Sequence, residues 1–270
     1  MFSPDGRFFV TALDNDRGTV QLRDARTTQI IQVFELGARA YSVDFSEKAP
    51  HLCISGVGLL KVWSYQSTAA LGEPARVTLT LVKTFQGPEM GSVTWAKFSP
   101  EGRYLAWFET GPNNSSGGGE QSNGIRIWDL ETDRELSHRI MADNAWNTFD
   151  FMEGGSRMVV AGLEGGIEIW DFVKGKQETK LKGWEKSCTQ LDVSHDGRLL
   201  SFATVPRNFG VFDLEKRRLL FVSPDLSNGI WQMRWNQDAT RLGMIEGNGR
   251  ARILNITAIR SKLGELGLDW

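Results

Sequence analysis

Apolar and polar positions alternate in short runs along the chain, and the runs recur. Ile125-Arg126-Ile127-Trp128-Asp129, Ile167-Glu168-Ile169-Trp170-Asp171 and Phe209-Gly210-Val211-Phe212-Asp213 share one pattern. Weaker copies are Val20-Gln21-Leu22-Arg23-Asp24, Leu60-Lys61-Val62-Trp63-Ser64 and Ala251-Arg252-Ile253-Leu254-Asn255. A period of two is that of a β-strand. The runs end at residues 24, 64, 129, 171, 213 and 255, with steps of 40, 65, 42, 42 and 42. The long step contains two insertions, near 66–76 and at 111–123, and removing about 23 residues restores the period. A second landmark keeps pace with the first. It reads Phe2-Ser3-Pro4-Asp5-Gly6-Arg7, Phe98-Ser99-Pro100-Glu101-Gly102-Arg103 and Val193-Ser194-His195-Asp196-Gly197-Arg198. Looser forms start at Phe45, Phe151 and Trp235.

Such periodicity predicts a repeat architecture in which each unit is a small sheet of short strands separated by Gly, Pro, Asp and Asn turns. In the fourth unit the strands are expected at 146–151, 157–161, 167–170 and 178–181. Strands this short cannot bury their faces alone, so the core must come from stacking sheet on sheet. Composition adds exclusions. With 31 Lys+Arg against 33 Asp+Glu in 270 residues the net charge is −2, which lacks the basic surplus of a nucleic-acid or anionic-membrane binder. No apolar run approaches a membrane span. Cys53 and Cys188 are too far apart in sequence for a redox or metal motif. The start carries no basic segment followed by an apolar one, so a cytoplasmic location is expected.

A unit of about 42 residues with Phe-Ser-Pro-Asp-Gly and Trp-Asp at these offsets resembles a WD40 β-propeller blade. The resemblance covers nearly the whole chain. It implies an all-β propeller of six recognisable blades over 1–256, the first lacking its innermost strand because only Met1 precedes Phe2. Trp63, Trp128, Trp170 and Phe212 would then wedge between neighbouring blades. The Gly-His that usually precedes the innermost strand of such blades is missing from every copy, so blade cohesion is expected to rest mainly on apolar packing. After Asn255 a helical stripe replaces the fourth strand, with Ile259, Leu263 and Leu266 at i, i+4 and i+7. This amphipathic tail, 257–270, is similar to the tail closing the WD40 region of large bacterial proteins, some of which carry a Ser/Thr kinase domain upstream. The incomplete first blade also suggests self-association through its open edge.

Candidate chemistry is sparse. Asp14-Asn15-Asp16-Arg17-Gly18 begins like a calcium loop but lacks the later acidic ligand. Asn113-Asn114-Ser115-Ser116 and Asn255-Ile256-Thr257 match glycosylation acceptors by composition only. Gly117-Gly118-Gly119 lacks the Gly-Lys-Ser/Thr ending of a phosphate loop. No kinase, hydrolase or metal signature occurs, so no catalytic residue, metal or cofactor is assigned and the chain is expected not to be an enzyme. One rim is more informative. In peptide-binding relatives the side chain four before the Phe of the turn lines the channel mouth, which implies Tyr41, Thr94, Asn147, Thr189 and Trp231 here. Trp146 and Trp184 lie close in sequence to the same connections, and the 111–123 insertion joins the second and third strands of its blade on that rim. The opposite rim, with Asp5, Glu101 and Asp196, consists of solvated turns. The expected function is a non-catalytic scaffold or sensor that binds a protein or peptide, with no nucleic acid and no membrane. The rival is the C-terminal regulatory or targeting part of a larger enzyme such as a bacterial Ser/Thr kinase. A propeller enzyme with a loop-borne site is the weaker alternative.

Overall fold

The alternating runs become strands, and each repeat closes into one antiparallel sheet whose strands follow chain order. The computed structural model describes residues 1–13, 15–68, 76–87, 91–111, 124–136, 148–161, 166–184, 186–204, 207–224 and 226–267. Two compact units result, Met1–Met141 and Ala142–Trp270.

In the first unit, β1 (Phe8–Ala12), β2 (Thr19–Asp24) and β3 (Ile30–Glu35) form a three-stranded sheet. Met1–Ser3 supplies only a stub of the strand expected before β1: Phe2 bridges Phe9, and Val10 N–H donates to the Met1 carbonyl. The second sheet contains β4 (Ala40–Phe45), β5 (His51–Gly56), β6 (Leu59–Thr68) and β7 (Arg76–Gln86). The insertion near 66–76 therefore lengthens both arms of a hairpin, and its 69–75 segment lies outside the described residues. The third sheet contains β8 (Ser92–Phe98), β9 (Tyr104–Thr110), β10 (Gly124–Asp129) and β11 (Arg134–Glu135).

In the second unit, β12 (Thr148–Phe151), β13 (Arg157–Ala161), β14 (Ile167–Asp171) and β15 (Lys176–Leu181) form the fourth sheet. The expected spans of its last three strands agree within two residues. β16 (Cys188–Val193), β17 (Leu199–Thr204), β18 (Phe209–Asp213) and β19 (Arg218–Val222) form the fifth. β20 (Ile230–Trp235), β21 (Arg241–Glu246) and β22 (Ala251–Asn255) form the sixth, followed by helix α1 (Ile256–Glu265). The fold class is all-β, that of a β-propeller with six blades. No helix among the described residues is long and apolar enough to cross a membrane.

One turn chemistry recurs. The Asp closing β2, β10, β14 and β18 is buried and accepts backbone N–H groups of the turn that follows. Asp24 Oδ1 takes Arg26 and Thr27, Asp129 Oδ1 takes Glu131 and Thr132, Asp171 takes Lys174 and Asp213 takes Lys216. In the last repeat Asn255 does the same to Ala258 N–H at 2.9 Å, and here the turn continues as α1. An Asn at a helix N-cap is favoured for this bond. Of the stripe on α1 only its start is covered: Ile256 is buried and Ile259 packs on the sixth-sheet core, whereas Leu266 is exposed.

Sheets within a unit are joined by more than apolar packing. Asp44, Asp150 and Asp192 occupy one position of the first strand of their sheets, and all three are buried. Each carboxylate reaches the first strand of the next sheet. Phe98 N–H donates to Asp44 Oδ2 at 2.9 Å, Val193 N–H to Asp150 Oδ2 at 2.9 Å, and Trp235 N–H to Asp192 Oδ2 at 2.7 Å. These bonds add to the apolar clusters that neighbouring sheets share. The missing Gly-His network is answered by a charged acceptor aimed at a backbone donor, a stronger bond than a neutral pair.

Candidate functional site

The first strands of four sheets, β4, β8, β16 and β20, are each interrupted by a β-bulge at nearly the same place. In β4 the register shifts between Ala40 and Ser42, in β16 between Cys188 and Gln190, and in β20 between Ile230 and Gln232. The extra residues are Tyr41, Thr189 and Trp231. A bulged residue leaves the ladder and its side chain is re-aimed. Tyr41 is accordingly 46% exposed and Trp231 67%, while Asp44 and Phe45 on the one strand and Ile230 and Met233 on the other are buried.

In β8 the shift falls between Thr94 and Lys97. Thr94 still pairs with Phe108, so the position count from the turn lands one residue early here. Trp95 takes the irregular place, with φ 52°. A non-glycine residue in the left-handed region costs on the order of 1–3 kcal/mol and persists only where its surroundings impose it. Trp95 was not among the residues picked from sequence. Its signal is an aromatic beside the counted position. Asn147 and Trp146 lie outside the described residues, as do His138, Asp14 and the 112–123 part of the insertion between β9 and β10. Trp184 belongs to the core, packed on Phe202 with ring centroids 5.0 Å apart.

In the first unit, then, Tyr41 and Trp95 sit on neighbouring strands tied at this level. Ala96 N–H donates to Ser42 Oγ at 3.0 Å, and Ser42 shares a 2.7 Å hydroxyl pair with Ser55. In the second unit Trp231 lies over Gly247, where a Cβ would come within 3.1 Å of the indole nitrogen. A side chain at 247 would crowd the indole. Next to it, buried Glu246 pairs with Arg252 through Oε1, and its Oε2 has no hydrogen-bond partner. The third sheet holds a fuller version at the same repeat positions. Glu109 Oε1 accepts from both Trp107 Nε1 and Arg126, and Arg126 also binds Glu135. The two carboxylates, Glu135 first, hold the Arg126 guanidinium above its already high value.

The wedge positions are placed as follows. Trp63 shares a cluster with Phe8, Val10 and Leu22 of the first sheet. Trp128 packs beside Leu60 and Val62 of the second and carries Lys83 Nζ 4.0 Å above its ring. Phe212, fully buried, joins Val159 and Ile169 of the fourth. Trp170 is partly exposed and donates to Glu168 at 2.9 Å.

On the turn side of the second unit lies a cleft of about 190 Å³ lined by Asp196, Asp213, Asp238, Arg198, Lys216 and Arg260, among others. Its carboxylates are engaged in local turns: Asp196 accepts from Ser194 Oγ, Asp213 from Lys216 N–H and Asp238 from Thr240 Oγ1. Both cysteines are buried; burial pushes the Cys53 thiol well up and Cys188 up to about 12. Among the described residues no three His, Cys, Asp or Glu side chains cluster as a metal site.

The fold is that of a repeat-built β-propeller whose bulges leave Tyr41 and Trp231 exposed on the first strands of their sheets. No family model matches the chain, and no curated protein matches it.

Proposed function

We propose that this propeller is a WD40-type, non-catalytic platform that captures a protein or peptide segment through the bulge residues Tyr41, Trp95, Thr189 and Trp231. One observation carries the reading: a β-bulge recurs on the first strands of four sheets, and it leaves Tyr41 and Trp231 exposed. Tyr and Trp bring contact area at low entropy cost, and a few such anchors usually supply most of an affinity. Thr94 and Asn147 complete the set by repeat position. A bacterial, cytoplasmic setting belongs to the same reading.

The test is a peptide-display selection on the purified chain, followed by titration calorimetry with a selected peptide. Trp231→Ala should weaken binding by at least about 2 kcal/mol and Tyr41→Ala by a comparable amount, whereas Asp196→Ala on the turn side should change it by less than about 0.5 kcal/mol. Unchanged affinity in Trp231→Ala and Tyr41→Ala together, with a loss in Asp196→Ala, would overturn the assignment.

A further inference from the structure

The insertion near 66–76 gives the second sheet an outer strand unlike the others described. β7 runs for 11 residues, whereas the outer strands β3, β11, β15 and β19 have 6, 2, 6 and 5. It pairs on one side with β6, and no described strand pairs with its other side. The sheet it ends is an inner one of its unit, sharing one core with the first sheet and another with the third. β7 is thus a free edge by its place in the sheet order. Such an edge presents unpaired N–H and C=O groups, and proteins guard it with short length, charge, proline or a bulge. Lys176, Glu178 and Lys180 guard β15 in this way. From Val77 to Val82 β7 carries no charge, proline or glycine, and its pairing with β6 is regular from Arg76 to Leu81. Leu81 and Val82 are 51% and 56% exposed.

The unguarded run also has the same character read in either direction. Val77-Thr78-Leu79-Thr80-Leu81 alternates apolar and hydroxyl side chains symmetrically about Leu79. Successive side chains take opposite faces of a sheet. Val77 and Leu79 pack, partly buried, on the core shared with the first sheet, whereas Thr78 and Thr80 are exposed. Laid antiparallel against itself about Leu79, the run sets Leu79 opposite Leu79, Val77 opposite Leu81 and Thr78 opposite Thr80. Apolar side chains then meet on one face and hydroxyls on the other, both favourable cross-strand pairings. In this register Arg76 does not face Lys83, and Lys83 is already paired with Asp133. Like charges directly opposite, which would oppose pairing, are avoided.

We infer that the free edge of β7 is an interaction surface for β7 of a second copy of this chain, the two strands joining antiparallel about Leu79 into one continuous sheet. Main-chain hydrogen bonds supply the attraction in such strand addition, and the side-chain pairs fix the register. The same patch serves on both copies, so the contact is two-fold and closes at a dimer. This inference is independent of the proposed peptide binding, because Tyr41, Trp95, Thr189 and Trp231 lie on other strands.

The test uses the full chain in sedimentation velocity over a hundredfold range of concentration. The parent should show a monomer–dimer equilibrium with nothing larger. Leu81→Lys, at an exposed position, should melt like the parent by circular dichroism. It should weaken dimerisation about tenfold or more, because the substitution enters a two-fold contact twice. Register is read separately with Thr78→Cys and Thr80→Cys, both at exposed positions, against a background in which Cys53 and Cys188 are buried. Under mild oxidant an equimolar mixture of these two variants should form a disulfide-linked dimer, and neither variant alone should do so to a comparable extent, because 78 faces 80 of the other copy. A parent that stays monomeric, a Leu81→Lys variant that dimerises like the parent, or a mixture that cross-links no better than its components would each overturn the inference.

Discussion

Asp192 offers the sharpest measure of how the sheets are held together. Its carboxylate accepts Trp235 N–H at 2.7 Å through Oδ2 and Arg234 Nη1 at 2.7 Å through Oδ1. The side chain is buried, whereas Arg234 is well exposed. The bond to the backbone donor is charge-assisted, worth about 1.5–3 kcal/mol. The Arg234 pair is open to solvent and adds at most about 1 kcal/mol. Asp192→Ala should therefore cost about 2–4 kcal/mol, a large part of a stability that is ordinarily about 5–15 kcal/mol. Asp192→Asn keeps the volume and one acceptor oxygen, so it should cost about half as much. Arg234→Met should cost less than about 1 kcal/mol, and the double variant should show correspondingly small coupling. The assay is urea unfolding followed by tryptophan fluorescence and circular dichroism. If Asp192→Ala unfolds within about 0.5 kcal/mol of the parent, the bridging carboxylate contributes nothing and apolar packing alone explains cohesion.

The wedge residues should rank by burial: Phe212→Ala should lose about 3–5 kcal/mol, whereas partly exposed Trp128 and Trp170 should lose nearer 2 kcal/mol on the same assay; equal losses would refute the ranking. Burial holds the His51 imidazole below its usual value, with its Nδ1 lacking a hydrogen-bond partner. The folded state thus prefers the neutral ring, and its contribution is complete above about pH 6.5 and is lost as pH falls through the folded-state value. Stability should decline on acidification through that range, and His51→Phe should flatten the slope; an unchanged slope would refute it. Arg103 holds Asp129 below the ordinary carboxylate range, so that contribution persists to lower pH before it is lost. Cys53 and Cys188 should resist a thiol reagent at pH 8 in the native protein and both react in urea; rapid native labelling of either would contradict the burial.

Much of the fold was legible because the repeat is written twice, once in the alternating run and once in the turn. Each copy of Ile-x-Ile-Trp-Asp places a strand and the cap of the turn after it, and strand limits in the fourth sheet followed directly. The bridging carboxylates were not legible. Val43-Asp44-Phe45 reads as an alternating strand with Asp toward water, and only the next sheet supplies the N–H that makes burial favourable. The bulge at Trp95 rather than Thr94 was hidden for a related reason. A one-residue slip in register leaves the spacing to Phe98 unchanged, so counting from the turn cannot detect it.

The bulges separate two properties that usually constrain each other in a sheet. A residue inside the ladder must suit its cross-strand partner and the face it packs on. Tyr41, Thr189 and Trp231 are freed from the ladder pairing, since each is the residue the register skips. One backbone position therefore holds a phenol, a hydroxyl and an indole in three repeats of a single chain. The consequence is evolutionary: what this position presents to solvent can change by single substitutions, repeat by repeat, while the scaffold beneath stays the same.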